Sequence, residues 1–136
     1  MSERVEKALE YHRKGFNCAQ AVVCAYCDLV GLDFQTAFKV SEGFGLGMGK
    51  LGQTCGAVSG MFFLASMKNS DGNVEAPATK RATYALVNEL GQAFKEKNTS
   101  ICCDDLLGGE GKPKLRSCPG CIEDAARIVE AKLFDL

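Results

Sequence analysis

Eight cysteines are the residues of this 136-residue chain that could do chemistry. Thiolates act as nucleophiles and as metal ligands. In a reducing compartment, and in a chain long enough to form a core without cross-links, so many cysteines favour metal binding or redox work over a structural disulfide framework. The alternative is that several of them are small buried hydrophobic residues. They are Cys18, Cys24, Cys27, Cys55, Cys102, Cys103, Cys118 and Cys121.

A glycine-rich stretch, residues 43–60 (GFGLGMGKLGQTCGAVSG), leads to one of these cysteines, Cys55. We expect Cys55 at the start of a buried helix, where unpaired N–H groups make a thiol easier to ionise. Gly56 and Gly60 lie one helical turn apart and would let another helix or a cofactor come close, and Gly49 would let the loop backbone do the same. The G-x-G-x-x-G pattern inside the stretch does not predict a nucleotide site, because its flanks are helical.

Two Cys-x-x-Cys pairs occur in the chain, and their settings differ. Cys118 and Cys121 enclose Pro-Gly at a predicted helix start, which is the dithiol arrangement of thioredoxin-like redox proteins and predicts a catalytic pair. The thioredoxin fold itself is excluded, because the strands it needs are missing. Cys24 and Cys27 share one face of an apolar helix. This spacing would allow both thiols to bind a metal, but a position in the hydrophobic core is favoured.

Helical periodicity runs through the whole chain and no convincing strand emerges. Ser2, Asn17 and Asp33 are suitable helix caps, and Pro77 is expected to open the longest helix. The pattern predicts an all-α bundle of five to seven helices in a single domain, residues 1–136. The predicted helices are 2–14, 18–30, 34–42, 55–67, 77–97, a short one containing residues 102–107, and one beginning at residue 117 or 118.

Four of these predicted helices carry a cysteine in the first turn: Cys18, Cys55, Cys102 or Cys103, and Cys118. If the four helix starts converge, they form a site for anionic sulfur, such as an iron–sulfur cluster held by thiolates. Two converging thiols would instead make a disulfide switch. A chance placement of cysteines after helix caps is the remaining alternative.

The overall charge excludes some classes of partner. A formal net charge of −1 offers no basic patch for nucleic acid or for an anionic membrane surface. The longest apolar run, residues 55–67, is too short to span a bilayer, and the N-terminus is not of signal-peptide type. We therefore expect a cytoplasmic protein. The single histidine, His12, is expected to be half-buried near a helix end rather than a ligand.

Several segments together resemble a family of small bacterial and archaeal proteins described as redox-active, defined by four cysteines and a Cys-Gly-Ala-x-x-Gly signature. The resemblance covers nearly the whole chain and favours Cys103 over Cys102 as the third family cysteine. Cys24, Cys27, Cys102 and Cys121 are additional to the family pattern. The segments that carry it are residues 16–22 (FNCAQAV), 43–49 (GFGLGMG), 55–60 (CGAVSG), 103–108 (CDDLLG) and Cys118 followed by 125–128 (AARI).

The resemblance implies redox activity without naming a substrate. The leading hypothesis is that Cys18, Cys55, Cys103 and Cys118 bind an iron–sulfur cluster or another thiolate-bound metal and pass electrons to a redox partner protein. A thiol/disulfide oxidoreductase using Cys118 and Cys121 is the second hypothesis. A structural metal-binding interaction module is the third, and a homodimer is compatible with all of them.

Overall fold

Seven α-helices form the protein in a computed structural model, which describes residues 2–136. No strand occurs in this described part, so the predicted all-α class is confirmed. The helices are α1 (Glu3–Arg13), α2 (Cys18–Tyr26), α3 (Phe34–Ser41), α4 (Gly56–Asn69), α5 (Lys80–Asn98), α6 (Cys103–Leu107) and α7 (Cys118–Ile128). The α2 helix continues as a 3₁₀ turn, Cys27–Val30, and α7 continues as a π-helical turn, Val129–Leu133.

The caps explain why most helices start where they do. The side chains of Ser2, Asn17 and Asp33 each accept a backbone N–H bond three residues on, and Gln20 completes a capping box with Asn17. Ser117, rather than Cys118, caps α7 by accepting from the Gly120 N–H. These interactions are local in sequence, which is why the caps could be predicted.

Two predicted helix starts were wrong. The longest helix begins at Lys80 and not at Pro77, because residues 70–79 form a surface loop before it. Cys55 lies just before α4 as its N-cap residue, with an extended conformation, and is therefore outside the first turn where it was expected.

The α2 and α4 helices form the centre of the bundle. Every residue of α2 is buried, and α4 buries the face that meets it. Burial of each large aliphatic or aromatic side chain in this core contributes about 1.5–3 kcal/mol. The largest fully buried side chains are Tyr26, Phe94, Met61, Leu64, Leu90, Leu106 and Ile122.

Candidate functional site

The crossing of α2 and α4 places Cys18 beside the start of α4. Gly56 makes this approach possible, because a Cβ atom on it would lie 2.5 Å from the Cys18 sulfur. One turn later, a Cβ atom on Gly60 would lie 3.0 Å from the Val22 Cβ. The structure therefore shows that Gly56 and Gly60 let another helix, α2, come close. The cofactor role that was expected for them and for Gly49 stays a prediction.

A short antiparallel pairing brings Cys55 close to Cys103. Thr54 and Cys102 form a single β-bridge. On either side of it, the Cys55 N–H donates to the Ile101 carbonyl at 2.7 Å and the Cys103 N–H donates to the Gln53 carbonyl at 2.6 Å. Because side chains alternate in such a pairing, Cys55 and Cys103 share one face.

The glycine stretch forms a tight left-handed turn at its centre. Consecutive residues from Leu46 to Lys50 have positive φ, although three of the five are not glycine. The Gly49 N–H donates to the Gly45 carbonyl at 2.9 Å and closes the turn. Each non-glycine residue in this region costs roughly 1–2 kcal/mol, so the surrounding contacts must hold the turn.

This left-handed turn packs directly on the cysteine site. The Leu46 backbone N–H lies in hydrogen-bonding range of the Cys18 sulfur. A Cβ atom on Gly47 would lie 2.6 Å from the Cys103 Cβ. The turn thus covers Cys18 and Cys103 with backbone atoms. A side chain at position 47 would clash with Cys103.

The α7 helix presents Cys118 and Cys121, and a buried ion network holds its start. The Asp124 side chain is fully buried and accepts from Lys97 at 2.8 Å and from Arg116 at 3.0 Å. Asn98 donates to the same carboxylate at 3.1 Å. Arg116 lies against Gly120, where a Cβ atom would meet its guanidinium at 2.5 Å. The loop before Cys118 is therefore fastened to the helix that follows.

The thiols interact in a connected series that is centred on Cys18. Cys18 shares a side-chain interaction with Cys55, and Cys55 shares a second one with Cys121. Cys103 and Cys118 lie in electrostatic range of Cys18 and of each other. The structure thus brings together the four cysteines predicted for the site and adds Cys121 through Cys55. Their function as metal ligands or catalytic groups stays a prediction.

The pKa values of these thiols are raised, contrary to the expectation of easy ionisation at helix starts. Hydrogen bonding to Cys55 and burial raise the pKa of Cys18 far above its ordinary value. Interaction with Cys121, together with burial, raises the pKa of Cys55 to about 12. Burial raises the pKa of Cys103 to about 11 and also raises that of Cys118. Burial beside other thiols outweighs the helix-end effect, so the reduced site holds protonated thiols at neutral pH.

The series runs from the surface to the interior. Cys118 is half-buried, whereas Cys18 is 6% exposed, Cys55 5% and Cys121 1%. All eight cysteines are free thiols. An external reagent therefore reaches Cys118 first and Cys121 last.

These thiols have the right donor atoms for a metal, but their positions do not form a metal site. Four or five soft sulfur donors suit zinc or an iron–sulfur cluster. Within residues 2–136, however, no three Cys, His, Asp or Glu side chains are placed so that they could hold a metal ion together. The sulfurs would have to move toward Cys18 to do so.

The remaining cysteines lie outside this series. Cys102 is half-buried, and its thiol donates to the Gly52 carbonyl at 3.1 Å. Cys24 and Cys27 are each 4% exposed in a second hydrophobic cluster with Val23 and Ala37. His12 is half-buried in the last turn of α1, as expected.

Sequence reasoning missed two parts of the site. The contact between Cys55 and Cys121 depends on how α4 packs against α7, which no local pattern reveals. The Asp124 network was also missed, although a lone acid on the otherwise apolar face of α7 is a usable signal.

Fold and site together define a class: a helical protein with a partly shielded cluster of thiols. The chain belongs to the family described as "Putative redox-active protein (C_GCAxxG_C_C)", whose model matches residues 16–132. No curated protein and no solved structure matched the chain. None of the helices in the described residues is both long and apolar enough to cross a membrane.

Proposed function

We propose that this chain is a thiol/disulfide redox protein that stores two electrons as the thiols of Cys18 and Cys55. The position of the Cys18 sulfur against Gly56, the residue directly after Cys55, carries the proposal, because it brings the two thiols to the same helix start. Their mutual effect on the pKa values of Cys18 and Cys55 supports it. Cys118 is the accessible entry thiol in this proposal, and the predicted catalytic pairing of Cys118 with Cys121 stays a prediction. The oxidant is a disulfide on a redox partner protein.

The exchange starts at Cys118, the half-buried thiol of the site. Its thiolate attacks one sulfur of the partner disulfide, forms a mixed disulfide and releases the first partner thiol. Cys18 then attacks the Cys118 sulfur and releases the second partner thiol. Cys55 attacks Cys18 and frees Cys118. Each attacking thiol loses a proton and each leaving thiolate gains one, so two protein thiols are oxidised and one partner disulfide is reduced.

Shielding makes this centre selective. The thiols react as thiolates, and their raised pKa values keep the thiolate fraction small at neutral pH. Burial raises the pKa of Cys118 overall, and the positive charge of Lys114 offsets part of this rise. A partner that docks at Cys118 and leaves Lys114 beside the thiol would therefore keep the one charge that favours the Cys118 thiolate. The free thiols also fit a reducing compartment, and we propose the cytoplasm.

Peptide mapping after differential alkylation across a redox titration tests this function. We expect one disulfide to appear within the site, joining Cys55 to Cys18 or, after exchange, to Cys121. The Cys24→Ser/Cys27→Ser variant, which lacks two of the three cysteines outside the site, should give the same result. Site thiols that alkylate independently, with no disulfide at any potential, would contradict the proposal.

A second candidate is a soft metal or iron–sulfur centre on Cys18, Cys55, Cys103 and Cys118. The observation that favours it is that thiols from three other segments lie around Cys18, and that the Leu46 backbone N–H offsets part of the rise in the pKa of Cys18. Backbone N–H bonds to sulfur tune the potential of such clusters. A bound cluster would supply one-electron transfer, and these four residues would hold it.

Anaerobic purification with iron and acid-labile sulfide analysis separates the two candidates. A metal centre predicts stoichiometric metal that is lost in Cys18→Ser and retained in Cys24→Ser. Metal at background, with all thiols kept reduced, would contradict it. A chelator that unfolds the protein without any redox signal would instead support a structural metal module.

A further inference from the structure

A pocket of about 780 Å³ lies at the end of α2 that is remote from the left-handed turn. Aromatic and aliphatic side chains of Tyr11, Leu32 and Phe34 form part of its wall. Cys24 and Cys27 also line it, so this pair faces a cavity although it belongs to a hydrophobic cluster. The volume is sufficient for a small organic molecule.

Cys24 and Cys27 are placed to act as a pair. They are three residues apart across the change from α-helix to 3₁₀ turn, which starts at Cys27. Residues at this spacing on a helix have Cβ atoms about 5–6 Å apart, whereas a disulfide needs about 3.5–4.5 Å, so the 3₁₀ turn must tighten when the two sulfurs bond. The Cys27 thiol donates to the Cys24 carbonyl at 3.5 Å. The two thiols interact, since burial and the neighbouring Cys27 raise the pKa of Cys24 to about 12.

The pair is separate from the first thiol series. Cys24 lies six residues beyond Cys18 on α2, which is about 9 Å along the helix axis. It packs in a different hydrophobic cluster from Cys18. A reagent in this pocket therefore reaches Cys24 and Cys27 without passing the other cysteines.

The charges around the pocket favour a cation. Glu3, Asp28, Asp33 and Glu130 line it, against two basic residues, Arg4 and Lys7. Arg4 is occupied by a two-pronged ion pair with Asp28, at 2.8 and 2.9 Å. Among the described residues, carboxylates thus outnumber cations, and a negative concave surface concentrates positive ligands.

We propose that this pocket binds a small, positively charged disulfide, which oxidises Cys24 and Cys27 to an intramolecular disulfide. The thiolate of one cysteine attacks a ligand sulfur, forms a mixed disulfide and releases one ligand thiol. The other cysteine attacks the protein sulfur of that bond and releases the second ligand thiol. Two protons leave the cysteines and two are taken up by the departing thiolates. This site works independently of the function proposed for Cys18 and Cys55.

The full chain, reduced and then treated with cystamine, tests the proposal. Cystamine carries two amines, and dithiodipropionate is its anionic counterpart of similar size. Peptide mapping should show the disulfide between Cys24 and Cys27 forming about 10-fold faster with cystamine at low salt, and the difference shrinking as salt is added. The same digest reports the first thiol series separately.

Variants sharpen the test. Cys27→Ser should stop the reaction at one cystamine half bound to Cys24, seen as a stable mass adduct. Glu3→Gln should slow the cystamine reaction, whereas Glu75→Gln, on the exposed loop before α5, should leave it unchanged. Equal rates for the two disulfides, or failure of Cys24 and Cys27 to pair while the first series oxidises, would overturn the proposal.

Discussion

The sulfur of Cys18 rests on the bare backbone of Gly56, so closely that a Cβ atom on Gly56 would lie 2.5 Å from it. The same Cβ atom would lie 2.8 Å from the Phe44 carbonyl oxygen. The Cys18 side chain on α2 thus occupies the space that a side chain at position 56 on α4 would need. This contact gives a physical reason for a glycine directly after the cysteine of the Cys-Gly-Ala-x-x-Gly signature.

Gly56→Ala should destabilise the protein by about 1–3 kcal/mol, because the added methyl group overpacks a rigid site. This loss appears even though alanine is the better helix former by about 1 kcal/mol. Urea denaturation under reducing conditions measures it. Part of the stability should return in Gly56→Ala/Cys18→Ala, where the sulfur is removed.

Gly43→Ala is the matched control for Gly56→Ala. No heavy atom lies within 4 Å of its Cβ position, and its φ is not positive. We expect no loss of stability, since an unstrained Gly→Ala change stabilises by about 0.4–1 kcal/mol. Equal destabilisation by both substitutions would show that the contact with Cys18 is not the cause.

Lys50→Gly should stabilise the protein, because Lys50 has a φ of 72° in the left-handed turn. Relief of a strain of roughly 1–2 kcal/mol exceeds the entropy that glycine adds to the unfolded chain, roughly 0.5–1 kcal/mol. Thermal and urea unfolding measure the change. Lys39→Gly, in the right-handed helix α3, should instead destabilise by about 1 kcal/mol. The same sign for both would refute the strain argument.

Asp124→Asn should cost about 1–3 kcal/mol, because it removes the buried carboxylate to which the partly exposed Lys97 and Arg116 donate charge-assisted hydrogen bonds. Burial alone would raise the pKa of Asp124, but hydrogen bonds from Lys97, Arg116 and Asn98 hold it below its ordinary value. Release of Arg116 should also speed alkylation of Cys118. Asp105→Asn removes an exposed ion pair with Lys112, which water screens, and should cost clearly less than Asp124→Asn.

The helices and their caps could be predicted because their signals are local. Asn17 and Gln20 are three residues apart, and their capping box appears as expected. The convergence of four cysteines could also be inferred, since each lies at or next to a helix start. Pro77 misled the prediction because proline opens loops as readily as helices.

The parts that escaped prediction depend on packing between distant segments. Leu46, Met48 and Lys50 carry no sequence signal for positive φ, and the turn is held by its own backbone hydrogen bonds and by packing on Cys18 and Cys103. The partner of Cys121 is Cys55, directly before α4 and more than 60 residues earlier in the chain. Thiol pKa values depend on burial beside other thiols, which a helix-end argument does not include.

Alkaline pH should destabilise the reduced protein. The pKa values of Cys18 and Cys55 are raised in the folded state, so the stability they contribute is complete below the pKa of an unfolded thiol, about 8.5, and declines above it. At one pH unit above that value each buried thiol should cost about 1 kcal/mol. Urea denaturation between pH 7 and pH 10 measures the loss. It should be smaller in Cys18→Ala/Cys55→Ala, and an equal loss there would assign the effect to other groups.

The redox midpoint of the first thiol series tests the central claim most directly. It should be measured for the Cys24→Ser/Cys27→Ser protein by equilibration with a dithiol buffer, and again after adding either Cys55→Ser or Cys102→Ser. We predict a single two-electron couple that Cys102→Ser leaves unchanged and that in Cys55→Ser gives way to a couple of different midpoint or to none, because only the Cys18–Cys118 disulfide of the exchange can then form. A midpoint that is unchanged without Cys55, or altered without Cys102, would contradict the central claim.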